Sequence, residues 1–186
     1  MITAGELKNW GYCPRVVFYR RRMAVSAGGT YKMDAGLAAQ EMIERFEARR
    51  ALDKYGFEGG TRRRNWWLVD DKLGLNGRLD YVLENEAEAA VVDFKLTAGE
   101  PGRNHKLQLA GYALLVERRL AKRVGRCFIY RIPDDRIFEI AIDEALRTSC
   151  LVALESIRSL FDLPEATDVR GRCRDCEYIN FCADVW

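Results

Sequence analysis

Between Asn65 and Leu96 the chain is written mostly in β-branched, aromatic and aliphatic residues. Trp66 to Val69, Leu73 to Leu83 and Ala89 to Leu96 read as three consecutive strands, because such side chains suit a pleated, half-buried surface. They predict a β-meander. Helical periodicity brackets it. Asp34 to Leu52 carries Leu37, Ile43, Phe46 and Leu52 at near-helical spacing, and His105 to Lys122 sets Leu107, Ala110, Leu114 and Val116 against a polar remainder. Val124 to Arg131 and Arg136 to Ile142 form a second strand pair across Ile132-Pro133-Asp134-Asp135, whose proline and aspartates suit a turn. Asp143 to Phe161 then reads as a long helix. The order predicts an α+β or mixed α/β domain, a sheet flanked by helices.

A chain of 186 residues with 48% apolar content can build one sizeable core. No repeat, low-complexity tract or Pro/Ser-rich linker interrupts it, and the weakest joint is the Gly28-Gly29 loop after a first helical stretch. Residues 1–186 are therefore expected to form a single domain. No run approaches the roughly 18 to 20 apolar residues of a membrane span, and Met1 to Lys8 lacks the apolar core of a signal peptide. The expected location is cytoplasmic.

In that reducing compartment the six cysteines are read as metal ligands or reactive thiols before disulfides. Cys173-x2-Cys176-x5-Cys182 offers three thiolates, and Cys13, followed by Pro14, is the candidate fourth. Such a clasp joins the chain ends, residues 1–25 with 164–186. Four thiolates satisfy zinc or an iron-sulfur cluster, and spacing does not separate the two. Trp10, Tyr12, Tyr178, Phe181 and Trp186 either shield that centre or are ordinary packing. Cys127, in a strand, and Cys150, in a helix, read as small buried apolar residues.

Asp93-Phe94-Lys95 ends an apolar strand and puts a carboxylate and an ammonium on the same face. The spacing recurs in Glu6-Leu7-Lys8 and Asp70-Asp71-Lys72, so context must single it out. A hairpin turn centred on Glu86-Ala87 sets Asp80, of Gly77-Arg78-Leu79-Asp80, opposite Asp93 with Cβ atoms about 5 Å apart. Like charges held so close repel, and Mg²⁺ or Mn²⁺ on the two carboxylates removes the penalty. Lys95 can then orient the water that attacks a metal-bound phosphodiester. The other reading is a surface salt bridge. Gln108 and Tyr112 share a helix face, where they can contact a phosphate or base or simply pack.

The formal net charge is only +2, but the cations are grouped: Arg20 to Arg22, Arg62 to Arg64, Arg118 to Arg123, and Arg170 to Arg174. Four such groups favour a polyanion partner, although each alone is an ordinary solvated face. Arg62-Arg63-Arg64-Asn65-Trp66-Trp67 sets cations beside aromatics, as in single-strand grooves; two core tryptophans on a strand are the plainer reading.

Taken in order, Tyr12-Cys13-Pro14-Arg15, Gly77-Arg78-Leu79-Asp80, Asp93-Phe94-Lys95, Gln108-Leu-Ala-Gly-Tyr112 and Cys173-x2-Cys176-x5-Cys182 resemble the CRISPR-associated RecB-like exonuclease family of the PD-(D/E)xK nuclease superfamily. The resemblance implies a RecB-type, restriction-endonuclease-like core whose termini are joined by a four-cysteine cluster, usually 4Fe-4S and otherwise 2Fe-2S. It implies Mg²⁺- or Mn²⁺-dependent cutting of single-stranded DNA, often 5′ to 3′ exonucleolytic and with endonuclease activity besides. It implies a role in CRISPR adaptation beside the integrase proteins, processing DNA for spacer acquisition. By carry-over Asp80, Asp93 and the Phe94 carbonyl bind metal, Lys95 activates water, Gln108 and Tyr112 position substrate, and Cys13, Cys173, Cys176 and Cys182 hold iron-sulfur. Gln40 stands where relatives commonly place a metal-binding histidine; its amide oxygen can still coordinate Mg²⁺ or Mn²⁺. His105, the only histidine, lies far downstream. The alternative is a non-catalytic iron-sulfur DNA-binding subunit of the adaptation complex.

Overall fold

The computed structural model describes residues 1–23, 52–96 and 99–182. The helix expected over residues 34–52, apart from Leu52, lies outside the described residues, as do Gln40, the Gly28-Gly29 joint and Trp186.

A short strand β1 (Ile2–Thr3) leads into helix α1 (Ala4–Tyr12) through a capping box. Thr3 Oγ1 accepts from the Glu6 amide at 3.0 Å and Glu6 Oε2 accepts from the Thr3 amide at 2.8 Å, so two orphan donors are satisfied reciprocally. The residue before a proline is driven out of the helical region, and Cys13 accordingly sits extended at φ −163° between α1 and helix α2 (Pro14–Arg22). The first helical stretch is thus two helices, with a cysteine at the break.

The meander forms as the residue pattern predicts: β2 (Thr61–Asp70), β3 (Leu75–Glu84) and β4 (Ala89–Lys95), antiparallel throughout. Strand β2 starts five residues before the expected Trp66, at Thr61, because the guanidinium groups of Arg62 and Arg64 lie over the Tyr81 ring at 5.3 and 5.6 Å. Helix α3 (Arg103–Leu120) carries the chain to β5 (Arg126–Arg131), which pairs parallel with β4. Strand β6 (Arg136–Ala141) closes the hairpin, and Asp143 caps helix α4 (Glu144–Arg158) by accepting from the Leu146 amide at 2.8 Å. The path β1-β3-β4-β5-β6, with β2 on β3, is one mixed sheet.

Two cores hold it. On one face Leu79, Val82, Val91, Cys127 and Ile129 pack with Leu7 of α1, Leu107 and Ala110 of α3 and Leu154 of α4. On the other, Tyr81, Leu83, Val92, Phe128 and Tyr130 meet Tyr55 and Phe57. Strand alternation breaks at one level of the sheet. Arg62 and Arg64 lie over Tyr81 on the side of the second core, whereas Trp66 and Leu68, of the same parity, pack with the first. Strand β3 does likewise, Leu79 and Val82 both facing the first core. The register is unchanged across the break, Arg64 opposite Tyr81 and Trp66 opposite Leu79, because Asn65 absorbs it at φ +47°. Asparagine tolerates that left-handed conformation. The residue it faces in register is Asp80.

Of the paired tryptophans, Trp66 packs partly against the first core while Trp67 is 58% exposed, so only one fits the core reading. The basic groups are largely engaged at the surface: Arg20 with Glu177, Arg21 with Glu6, Arg63 and Lys122 with Glu84, Arg123 with Glu144.

Candidate functional site

The β3–β4 ladder runs from Glu84 opposite Ala89 to Tyr81 opposite Val92, so one further step places Asp80 against Asp93, as the turn at Glu86-Ala87 requires. The ladder stops there, and the Phe94 amide instead donates to Asp80 Oδ2 at 3.0 Å, which fixes that carboxylate beside the neighbouring strand. Phe94 is anchored by its ring, packed edge-on against Tyr81 and Tyr130 at 5.0 and 5.6 Å. Asp93 is buried, 3% exposed, and its Oδ2 takes no hydrogen bond among the described residues but forms an ion pair with the Lys95 ammonium. Burial, and next the charge of Asp93, push the Asp80 carboxyl up to about 6, opposed by the Phe94 amide and Lys95. A cation between the two carboxylates removes the strain that shift records.

Lys95 also donates to Gln108 Oε1 at 3.3 Å, and Gln108 Nε2 donates to Tyr112 Oη at 3.1 Å. Helix α3 therefore supports the end of β4 through a continuous polar chain, with Tyr112 at its base. Burial and the two carboxylates push the Tyr112 hydroxyl well up, so it stays neutral. Its ring lies where a side chain at position 77 would be: a Cβ on Gly77 would stand 2.7 Å from Tyr112 Cε1, which accounts for the glycine three residues before Asp80.

Two residues not singled out from the sequence also arrive here. Lys8, whose Glu6-Leu7-Lys8 spacing reads as background, lies within electrostatic reach of Lys95, Asp93 and Asp80; burial and Lys95 push its ammonium down to about 8. His105, three residues before Gln108 on α3, is held neutral by burial, Lys95 and Lys8, its pKa lowered to about 4. Its Nδ1 is buried without a partner among the described residues.

At the other end of α1, Cys13, Cys173, Cys176 and Cys182 line one cavity together with Tyr12 and Tyr178. The two chain ends are tied around it. Tyr12 Oη donates to the Arg172 carbonyl at 2.6 Å, Arg172 Nη1 returns a bond to the Tyr12 carbonyl at 2.7 Å, and Arg15 Nη1 donates to Cys182 Sγ at 3.5 Å. Burial, then Cys13 and Cys173, push the Cys176 thiol up, so these sulfurs are costly to ionise together unless a cation joins them. An all-sulfur donor set rimmed by guanidinium groups has the donor chemistry of zinc or an anionic iron-sulfur cluster, although the sulfurs do not stand close enough together for a single ion. Trp10 packs against the first core and Phe181 is 47% exposed, so the shielding falls to Tyr12 and Tyr178. Cys127 and Cys150 are fully buried, their thiols pushed up to about 12, as small apolar residues would be. Among the described residues no three His, Cys, Asp or Glu side chains gather tightly enough for a single ion, and no helix is long and apolar enough to cross a membrane.

Residues 8–183 match the family model of the PD-(D/E)XK nuclease superfamily, a family of nucleases that use divalent metals. The chain is 31% identical to the CRISPR-associated exonuclease Cas4 of Francisella tularensis subsp. novicida (strain U112), over 98% of this chain and 94% of that protein. It therefore belongs to the PD-(D/E)XK nuclease superfamily and, within it, to the family of that exonuclease. A CRISPR-associated exonuclease Cas4/endonuclease Cas1 fusion of Myxococcus xanthus (strain DK1622) is 29% identical over 62% of this chain and 22% of its own length. The crystal structure of SSO0001 shares the fold, with a TM-score of 0.61 at 18% identity over all of this chain and 86% of that one.

Proposed function

We propose that the chain is a Mg²⁺- or Mn²⁺-dependent nuclease that degrades single-stranded DNA from the 5′ end, with some endonucleolytic cutting, during CRISPR adaptation. The observation that carries this reading is the pinned carboxylate pair, Asp80 held by the Phe94 amide beside a buried Asp93, with Lys95 two residues on along the same strand. Asp80, Asp93 and the Phe94 carbonyl would hold the metal, with Gln40 as a further oxygen donor. When bound, that ion polarises the scissile phosphodiester and lowers the pKa of water. Lys95 positions the attacking water and offsets the charge that builds on phosphorus. Gln108, braced by Tyr112, keeps the Lys95 ammonium on the carboxylate side of α3.

Cys13, Cys173, Cys176 and Cys182 hold an iron-sulfur cluster in this reading, 4Fe-4S in preference to 2Fe-2S. Their shared cavity and the guanidinium rim support it, and zinc is the competing occupant. The cluster region, residues 1–25 and 164–186, is then a clasp on a single cytoplasmic domain rather than a separate one. The Myxococcus fusion, in which a relative is joined to an endonuclease named Cas1, supports integrase proteins as partners.

The test uses 5′-labelled single-stranded DNA with Mg²⁺ or Mn²⁺. Wild-type protein should shorten it, and Asp93→Ala and Lys95→Ala should each lose at least a hundredfold in rate while retaining the wild-type circular dichroism spectrum. Equal cutting by both variants sinks the assignment.

A further inference from the structure

Helices α1 and α3 pack so closely that a Cβ on Gly11 would stand 2.7 Å from Asn104 Cα, and one on Gly111 would stand 2.5 Å from Leu7 Cδ1. Position 7 thus bears on 111 and position 11 on 104, so the helices run antiparallel and Lys8, next to Leu7, stands across from the turn of α3 that holds Gln108 and Tyr112. Those two share a face of α3, and Gln108 grips Lys95. Lys8 is largely buried on α1, and its ammonium lies within electrostatic reach of Asp93, Asp80 and Lys95. No hydrogen bond or ion pair to that ammonium is found among the described residues, whereas Lys95 is engaged by Asp93 and Gln108.

A largely buried ammonium with no partner among the described residues is costly. Its placement makes sense if an anion arrives. Among the described residues Lys8 and Lys95 already balance Asp80 and Asp93, His105 is neutral and Arg78 adds a further positive field on Asp80, so a divalent cation would leave them with positive charge in excess. A phosphodiester brings one negative charge and gains a second as the attacking water gives up a proton and adds to it.

We propose that Lys8 is a substrate-binding residue, its ammonium donating to a non-bridging oxygen of a DNA phosphate that lies across the carboxylate pair. This rests on the nuclease reading above. Lys8 would then set the register of the strand, and α1 would link the cysteine end of the molecule to the cutting end.

The experiment is fluorescence-anisotropy binding of a labelled single-stranded oligonucleotide in EDTA, over a series of salt concentrations. Lys8→Met, which keeps the stem's volume, should bind about tenfold more weakly, as loss of one charge-assisted contact implies. The slope of log affinity against log salt should become shallower by about 0.7, the signature of one phosphate contact on a single strand. Lys8→Arg should restore both. Unchanged affinity, or weaker binding with an unchanged slope, overturns the proposal, the latter marking a structural lysine. The two readings fail separately. Wild-type protein that cuts DNA while Lys8→Met binds normally refutes only the role of Lys8. A Lys8-dependent salt slope in a protein that cuts nothing with Mg²⁺ or Mn²⁺ refutes only the nuclease.

Discussion

Replacing Asp80 by asparagine should stabilise the metal-free protein at neutral pH, which is the reverse of what a structural carboxylate would do. The folded pKa is about 6 against an ordinary 3.8. A rise of about two units at about 1.4 kcal/mol per unit makes ionised Asp80 a burden on the order of 2 to 3 kcal/mol. The sign follows from linkage. A carboxyl whose folded pKa exceeds its unfolded one contributes stability in full below the unfolded value and loses it as pH rises through the folded value. The burden should therefore be complete by about pH 7 to 8 and absent near pH 3. Asparagine keeps an oxygen to accept the Phe94 amide, so the bond that pins position 80 survives. In EDTA at pH 8, Asp80→Asn should melt roughly 5 to 10 °C above wild type, and the gap should close as pH falls from about 6 to 3. Manganese should reverse the order. Saturating the wild-type site a thousandfold adds about 4.1 kcal/mol by mass action, more than the burden and a gain the variant lacks. A variant no more stable than wild type in EDTA at pH 8 refutes the strained-pair account.

Arg147 is buried beneath the start of α4, bidentate to Glu117 at 2.7 and 2.9 Å and bonded to the carbonyls of Val124 and Ile142. Arg147→Ala leaves Glu117 with only the Val124 amide at 2.7 Å and should cost about 3 kcal/mol in urea unfolding with no loss of DNA affinity; a cost under about 0.5 kcal/mol would mean that water already serves the pair. Anaerobically purified protein should be brown, with broad visible absorbance and stoichiometric iron, both lost in Cys176→Ala. A colourless protein holding only zinc would replace the cluster with a zinc clasp.

The parts of the site that were legible in the sequence are those set by local rules. A hairpin turn converts a separation along the chain into a register, so the Glu86-Ala87 turn alone sets Asp80 against Asp93, and strand parity puts Lys95 on the face of Asp93. The helical step from Gln108 to Tyr112 is local in the same way, and their bond follows from it. What the residue pattern leaves hidden is non-local. Parity presumes unbroken alternation, and nothing around Asn65 announces that the strand crosses faces there. The acid-x-Lys spacing shows the limit most sharply. Asp70 accepts from the Leu73 amide in a surface turn, so Asp70-Asp71-Lys72 is turn chemistry. Glu6 closes a capping box and leaves Lys8 on the helix face that meets α3. A spacing that is background by frequency therefore delivers a cation to the carboxylates. What decides is a helix–helix contact between glycine-sized steps that no local pattern encodes, so substitutions in the α1–α3 seam should alter the charge of the site as well as the stability of the fold.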